Sequence, residues 1–250
     1  MIELMAHAKL TWFLEITGVR ANGYHELRSE MTTISLHDVL MLDEAGDHLQ
    51  ILNPFTDVVA SDETNLVARA LQLVQRRAGV RVEKYIPVGG GLGGGSADAA
   101  AILRWAGGVS PEVAVSLGGD VPFCQLGGRA LVEGVGELLT PQLYERRDIT
   151  LIVPEFSLST ADCYAAYDEM FADGWRPKGS NALEEPAGRV EPRMNATLEW
   201  LRAELGADVH LAGSGSSMFV EGHLQASPDR WDMTGPDGTL QLSNLTTTPR

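Results

Sequence analysis

Leu10, Trp12, Leu14 and Ile16 alternate with other residues, a period-two pattern that predicts strand over residues 2–17. Asn22-Gly23 then marks a turn-rich loop between Gly18 and His25. Strand character resumes over residues 31–52, with segments 38–44 and 48–52 expected to pair across Ala45-Gly46-Asp47. The period next lengthens. Leu66, Val67, Ala70, Leu71 and Val74 recur at helical spacing, with Gly79 expected to end the element. Residues 80–86 form a strand that feeds a glycine-rich stretch, followed by a helix over 96–106 and a shorter helical piece near 111–117.

In the second half, residues 129–141 read as a hairpin and 148–153 as a buried strand. Ser159 or Thr160 caps a helix running through Phe171. Residues 173–191, rich in glycine, proline and charge, read as a loop. Met194, Leu198, Leu201 and Leu205 mark an amphipathic helix closed by Gly206. A Gly-Ser element over 211–220 looks like a tight turn between strands, and beyond Glu221 only 239–242 reads as strand, in a polar, loose end. No segment repeats another. A charged stretch at 142–148 suggests two domains, residues 1–145 and 146–250.

The organising stretch is Pro87 to Ala101, in which glycines occupy six of the seven positions 89–95 and alanines follow at once. Glycines allow a backbone to wrap closely around a ligand, and the alanines favour helix, with Ser96 placed to cap it. A helix N-terminus offers N–H groups and a positive dipole end, which suit phosphate. The loop is not of the Walker type, since no lysine lies between Lys84 and Lys178. Gly89-x-Gly91-x-x-Gly94 formally fits the dinucleotide fingerprint, but the region after its helix, Gly118-Gly119-Asp120-Val121-Pro122, reads as a turn rather than a strand ending in an acid.

A formal net charge of −15 argues against nucleic-acid or anionic-membrane partners, while leaving room for a nucleotide held by backbone N–H groups. Cys124 and Cys163 form no metal or disulfide pattern, and neither a signal peptide nor a membrane-length apolar run is evident. A cytoplasmic setting is expected. Read locally, Lys9 either snorkels to the surface or contacts a ligand, Asp120 is turn chemistry or a functional acid, and Tyr24 and His25 are loop anchors or ligand contacts.

The order of these elements resembles the three motifs of the GHMP kinases, which phosphorylate small-molecule alcohols. The resemblance rests on Ala8-Lys9-Leu10, Thr17-Gly18-x-Arg20-x-x-Gly23-Tyr24-His25, Pro87 to Ala100, Leu117 to Phe123 and Glu133-Gly134-Val135-Gly136-Glu137, and covers residues 5–220. It implies a two-domain α+β fold with the active site in the interdomain cleft, and ATP with Mg²⁺ as the phosphoryl source. It further implies that Lys9 and Asp120 flank the reacting hydroxyl. Pro87, Gly89, Gly90, Gly91, Leu92, Gly93, Gly94, Gly95 and Ser96 would bind ATP, with Ser96 a candidate contact to the metal.

Within the family the branch acting on a cytidine diphosphate-linked alcohol is most similar. That likeness implies a substrate set of Thr11, Tyr24, His25, Thr160, Tyr164, Gly213, Ser214, Gly215 and Ser216. Tyr24 and Tyr164 would flank the cytosine ring and His25 would hydrogen-bond it. A kinase of a homoserine- or mevalonate-type alcohol and a non-catalytic nucleotide-binding relative are the alternatives. Three departures stand out: Thr11 replaces the family's usual asparagine, Gly119 replaces alanine and should loosen the backbone around Asp120, and the helix expected after Glu221 is missing.

Overall fold

A computed structural model describes residues 1–54, 59–225 and 229–249. Two long strands, β1 (Ile2–Val19) and β2 (His25–Asp43), pair antiparallel along their whole length around the Arg20–Tyr24 turn. On its other edge β2 pairs with β4 (Gly79–Glu83) over residues 39–43 and with β5 (Arg129–Gly134) over residues 27–32. Outside these lie β3 (Leu49–Leu52), parallel to β4, and β6 (Leu138–Pro141), which forms the expected hairpin with β5.

The expected hairpin between segments 38–44 and 48–52 does not form, because β4 is inserted between them. Val80 and Val82 are fully buried and belong inside the sheet, whereas β3 buries only every second residue partly. Gly46 and Gly79 allow the insertion: a methyl group on Gly46 would lie 2.9 Å from the Gly79 Cα. Gly79 thus begins a strand. The preceding helix, α1 (Leu66–Leu73), stops earlier and is capped at its start by Asn65, whose Oδ1 accepts from Val67 N at 2.8 Å.

Helix α2 (Gly94–Trp105) covers this sheet. Its face of Ala97, Ala99, Ala100, Ile102 and Leu103 packs into a core with Ala6, Ala8, Leu10 and Leu40. Two short helices follow, α3 (Pro111–Ala114) and α4 (Val121–Leu126).

The second sheet is built around β7 (Asp148–Pro154), flanked by β9 (Met218–Glu221) with β8 (His210–Leu211) on one side and by β11 (Gly238–Thr246) with β10 (Arg230–Gly235) on the other. Helices α5 (Thr160–Ala172), α6 (Glu184–Val190) and α7 (Pro192–Leu205) accompany it. Two expectations fail here. Residues 173–191 are not all loop: α6 forms despite Pro186 and Gly188, because Pro186, Ala187 and Gly188 are its buried face and Gly188 packs directly on Asn195 of α7. The polar end is not loose either. Buried Leu240 and Leu242 alternate with polar residues, and β11 pairs with β7 through seven residues. Of the polar stretch around Gln225, residues 226–228 lie outside the described residues.

The core of the first sheet extends to part of the second, which also has a core of its own around Ile152, Met194, Leu198 and Leu242. Ile149, Leu151 and Phe219 pack with the first sheet, Trp12 meets Phe219 edge-on at 5.2 Å, and Thr248 N donates to Thr33 O at 2.9 Å. Among the described residues no helix is long and apolar enough to cross a membrane.

Candidate active site

A cleft of about 1380 Å³ runs between the sheets, with the glycine loop as its floor. That volume exceeds the usual upper range for a single small ligand, roughly 1,000 Å³, and leaves room for two. Gly93, at φ +69°, is the residue on which the loop becomes α2. It occupies the N-cap position, which corrects the expectation for Ser96: the serine sits inside the first turn and caps nothing. The loop's carbonyls face the protein. Gly89 O accepts from Leu158 N at 3.3 Å and Ser216 N at 3.2 Å, Gly90 O from Ser217 N at 3.2 Å, and Leu92 O from Lys9 N at 3.0 Å. Its other side, with the α2 N-terminus and its N–H groups, lines the cleft.

Lys9 does not snorkel. A register shift between His7 and Lys9 lets Ala8 and Leu10 enter the core while Lys9 reaches the cleft, where it remains 5% exposed. Its ammonium lies 3.6 Å from Asp120 Oδ2 and donates to Thr11 Oγ1 at 3.1 Å. Asp120 ends the Gly118-Gly119 turn at the start of α4. That turn is packed rather than loosened: a methyl group on Gly119 would lie 2.8 Å from Val135 O, and Gly136 in turn abuts the Gly119 carbonyl. The Val135–Glu137 turn is itself held by Arg20, which contacts Glu137 at 2.7 Å and Glu26 at 2.9 Å. Gly93 stands between the two charges, since a methyl group there would sit 3.0 Å from Lys9 Cγ and 3.4 Å from Asp120 Oδ2.

At the far end, His25 Nε2 lies 2.8 Å from Asp168 Oδ1 and its ring packs on Tyr164 at 4.7 Å. Burial, with Asp120 and Cys163 adding to it, pushes the Tyr164 phenol well above its ordinary range and keeps it neutral. Tyr24 stands on the rim, 64% exposed. Thr160 Oγ1 and Ser214 Oγ are 2.8 Å apart across the cleft wall, which Gly213 also lines. Gly215 and Ser216 are not on that wall. Gly215 faces Leu211 and Leu158, and Ser216 Oγ donates to Phe156 O at 2.6 Å. Thr11 likewise stands behind the wall, 1% exposed, as Lys9's partner.

Several residues escaped the sequence reading. Lys84 is buried between Asp38 and Asp98, with its ammonium 2.6 Å from Asp98 Oδ2. Asp38 also accepts from Tyr85 N at 2.5 Å and Ile86 N at 2.8 Å, fixing the chain as it enters the glycine loop. Burial raises the Asp98 carboxyl to about 7; the Lys84 charge opposes that rise and Asp38 adds to it. Asn181 Nδ2 donates to Leu211 O at 3.0 Å and Gly213 O at 2.7 Å, holding the Gly-Ser turn. Only chain position could have drawn attention to Lys84 and Asp98, which bracket the loop.

Among the described residues no three His, Cys, Asp or Glu side chains are grouped to share a metal ion. The loop does offer hard oxygen donors, the Ser96 hydroxyl and the buried Asp98 Oδ1, which has no hydrogen-bond partner. Such a sparse set suits a cation that arrives already bound to phosphates.

The fold and the loop are those of a small-molecule kinase. The profile of the GHMP kinases N terminal domain matches residues 65–128. The chain is 33% identical to the 4-diphosphocytidyl-2-C-methyl-D-erythritol kinase of Delftia acidovorans, over 99% of this chain and 95% of that protein. It is 34% identical to the enzyme of the same name from Paracoccus denitrificans, over 96% and 95%. A crystal structure of 4-(cytidine 5'-diphospho)-2C-methyl-D-erythritol kinase superposes with a TM-score of 0.69 at 30% identity, covering 98% of this chain and 99% of that one. The crystal structure of L. major mevalonate kinase shares the fold alone, at TM-score 0.63 and 14% identity over 100% of this chain and 96% of its own. The chain therefore belongs to the 4-diphosphocytidyl-2-C-methyl-D-erythritol kinase family of GHMP kinases, with ATP as a substrate.

Proposed function

We propose that this chain transfers the γ-phosphoryl group of ATP to the tertiary 2-hydroxyl of 4-diphosphocytidyl-2-C-methyl-D-erythritol, in non-mevalonate isoprenoid precursor synthesis. The observation that carries the reading is continuity: one cleft joins a glycine loop, a lysine–aspartate pair and an end walled by His25 and Tyr164. Phosphoryl transfer asks for positioning and charge stabilisation more than covalent chemistry, and those are what these parts offer.

In this reading the loop from Gly89 to Ser96 and the start of α2 hold the ATP phosphates through backbone N–H groups. Asp120 aligns the alcohol and accepts its proton. Lys9 sits against Asp120 and offsets negative charge on the group in transfer. Thr11 takes up one donor of Lys9 and so fixes where the ammonium points. Ser96 and Asp98 are the protein oxygens that would hold a Mg²⁺ arriving with ATP, which would supply charge neutralisation at the phosphates. Tyr164 and His25 receive the cytosine end, and Tyr24 closes over it from the rim. Residues 1–145 and 146–250 act as the two domains whose cleft this is, in the cytoplasm and without a nucleic-acid or membrane partner.

Purified protein should consume ATP with the cytidyl alcohol and leave homoserine and mevalonate essentially untouched, as followed by ADP release. Equal or faster turnover of either simple alcohol would overturn the assignment.

A further inference from the structure

His25 opens β2, and only 11% of its side chain is exposed. Its Nε2 is 2.8 Å from the Asp168 carboxylate, which belongs to the cleft-facing side of α5 along with Thr160 and Tyr164. Tyr164 packs on one face of the imidazole and Tyr167 meets it edge-on at 6.1 Å, so the ring is held in orientation. A carboxylate can only accept, so the neutral ring must carry its proton on Nε2. Nδ1 then keeps a lone pair, and among the described residues it has no hydrogen-bond partner.

We propose that Asp168 is a positioning residue that sets the base specificity of the cleft. By fixing the Nε2–H form of His25 it presents Nδ1 as an acceptor, which receives an exocyclic amino group and repels a carbonyl oxygen at the same place. Cytosine carries an amino group at C4 where uracil carries an oxygen. The inference rests on the reading above that a cytidyl group occupies this end. A site built around a hydrogen bond discriminates strongly, because the wrong base leaves two acceptors facing each other without a donor.

The test compares wild type with Asp168→Asn and Asp168→Glu. Binding of CDP and UDP is measured by calorimetry, kcat and KM are measured for the cytidyl alcohol and its uridyl analogue, and the His25 tautomer is read from imidazole ¹⁵N shifts. Wild type should favour the cytidyl over the uridyl compound by about 10- to 100-fold, with the Nε2–H form observed. An asparagine amide can present either a donor or an acceptor and so releases the lock. Asp168→Asn should therefore lose about tenfold of that preference, through KM rather than kcat, and Asp168→Glu should restore it. A preference unchanged within about twofold in Asp168→Asn, or an Nδ1–H form in wild type, overturns the inference while leaving the kinase reading intact. Failure of wild type to bind CDP or turn over the cytidyl alcohol overturns the substrate reading and this inference with it.

Discussion

Gly91 of the phosphate loop and Ala212 of the Gly-Ser turn approach so closely that a methyl group on Gly91 would collide with the Ala212 carbonyl oxygen. The two glycine-rich elements, more than a hundred residues apart in the chain, thus form one backbone junction. Gly91 also has φ +72°, which a side chain disfavours by roughly 1–2 kcal/mol. Gly91→Ala should lower stability by about 2 kcal/mol or more and raise the KM for ATP, since the loop must move to accommodate the methyl group. Thermal unfolding and ATP saturation curves check this together.

Lys9 and Asp120 do not form a core ion pair: the Asp120 side chain is 32% exposed to the cleft, and among the described residues the Lys9 ammonium otherwise donates only to Thr11. Removing either should leave the fold standing. Asp120→Asn is expected to reduce kcat by about 10²- to 10⁴-fold, and Lys9→Met by a similar order. ATP binding to Asp120→Asn, measured by calorimetry with a non-hydrolysable analogue, should stay within a few-fold of wild type. Unchanged turnover in Asp120→Asn would refute its assigned role.

Lys84 is a different case. Its ammonium stands between the carboxylates of Asp38 and Asp98, all three buried. Substituting it with methionine leaves two buried acids without their cation, a change worth about 3–5 kcal/mol of stability. Because Asp38 fixes Tyr85 and Ile86 at the loop entrance, activity should fall along with the melting temperature. A Lys84→Met protein as stable as wild type in urea would mean that the acids are neutral and the triad contributes little.

His7 carries a pH dependence away from the site. Its ring lies 4.9 Å from that of His37, tilted by 47°, and its Nδ1 lies 3.0 Å from Ile34 O. Burial lowers its basicity, with His37 and Arg104 adding to the effect and the Ile34 carbonyl opposing it. A histidine depressed in the fold binds its proton more readily once unfolded. Its contribution to stability is present above the ordinary histidine range, near 6.5, and is lost as pH falls below it. His7→Asn, whose amide can still reach Ile34 O, removes that titration. Melting temperatures should therefore fall less steeply between pH 7.5 and 5 in the variant than in wild type.

The mixed fold and the phosphate loop were legible because each has a local signal, alternation or glycine density. Lys9, Asp120 and Gly213 are ambiguous read locally and were singled out only by the order of motifs that resembles the family; all three line one cleft. The strand order was not legible. Whether segment 48–52 pairs with β2 or with β4 depends on which strand most needs burial, and Val80 and Val82 lie thirty residues away. Helix α6 was hidden by Pro186 and Gly188, breakers in isolation that tertiary packing on α7 turns into the buried face. The strand expected at 239–242 lies within β11, but β10 and the remainder of β11 were hidden by a polar face. At the site, Asp168 and Asn181 carry no motif at all; each acts through a partner distant in sequence, His25 and the Gly213 turn.

Asn181 gives the sharpest test of how that turn is held. Two of its amide hydrogens go to Leu211 O and Gly213 O, and its Oδ1 accepts from Leu183 N at 2.9 Å. The adjacent backbone is anchored to β1, where Leu14 N donates to Ser180 O at 2.9 Å and Ala182 N to Leu14 O at 2.8 Å. A single amide therefore links β1 to the wall that carries Gly213 and Ser214. Asn181→Ala leaves these buried groups unpaired at about 1–3 kcal/mol for the set, a loss of several degrees in melting temperature for a chain of this size. Asn181→Asp keeps the acceptor but points an anion at two carbonyl oxygens. At pH 8 its stability should fall below that of the alanine variant, and the KM for the phosphoryl acceptor should rise in both. An aspartate variant as stable as wild type at that pH would show that the amide donors are not what holds the turn.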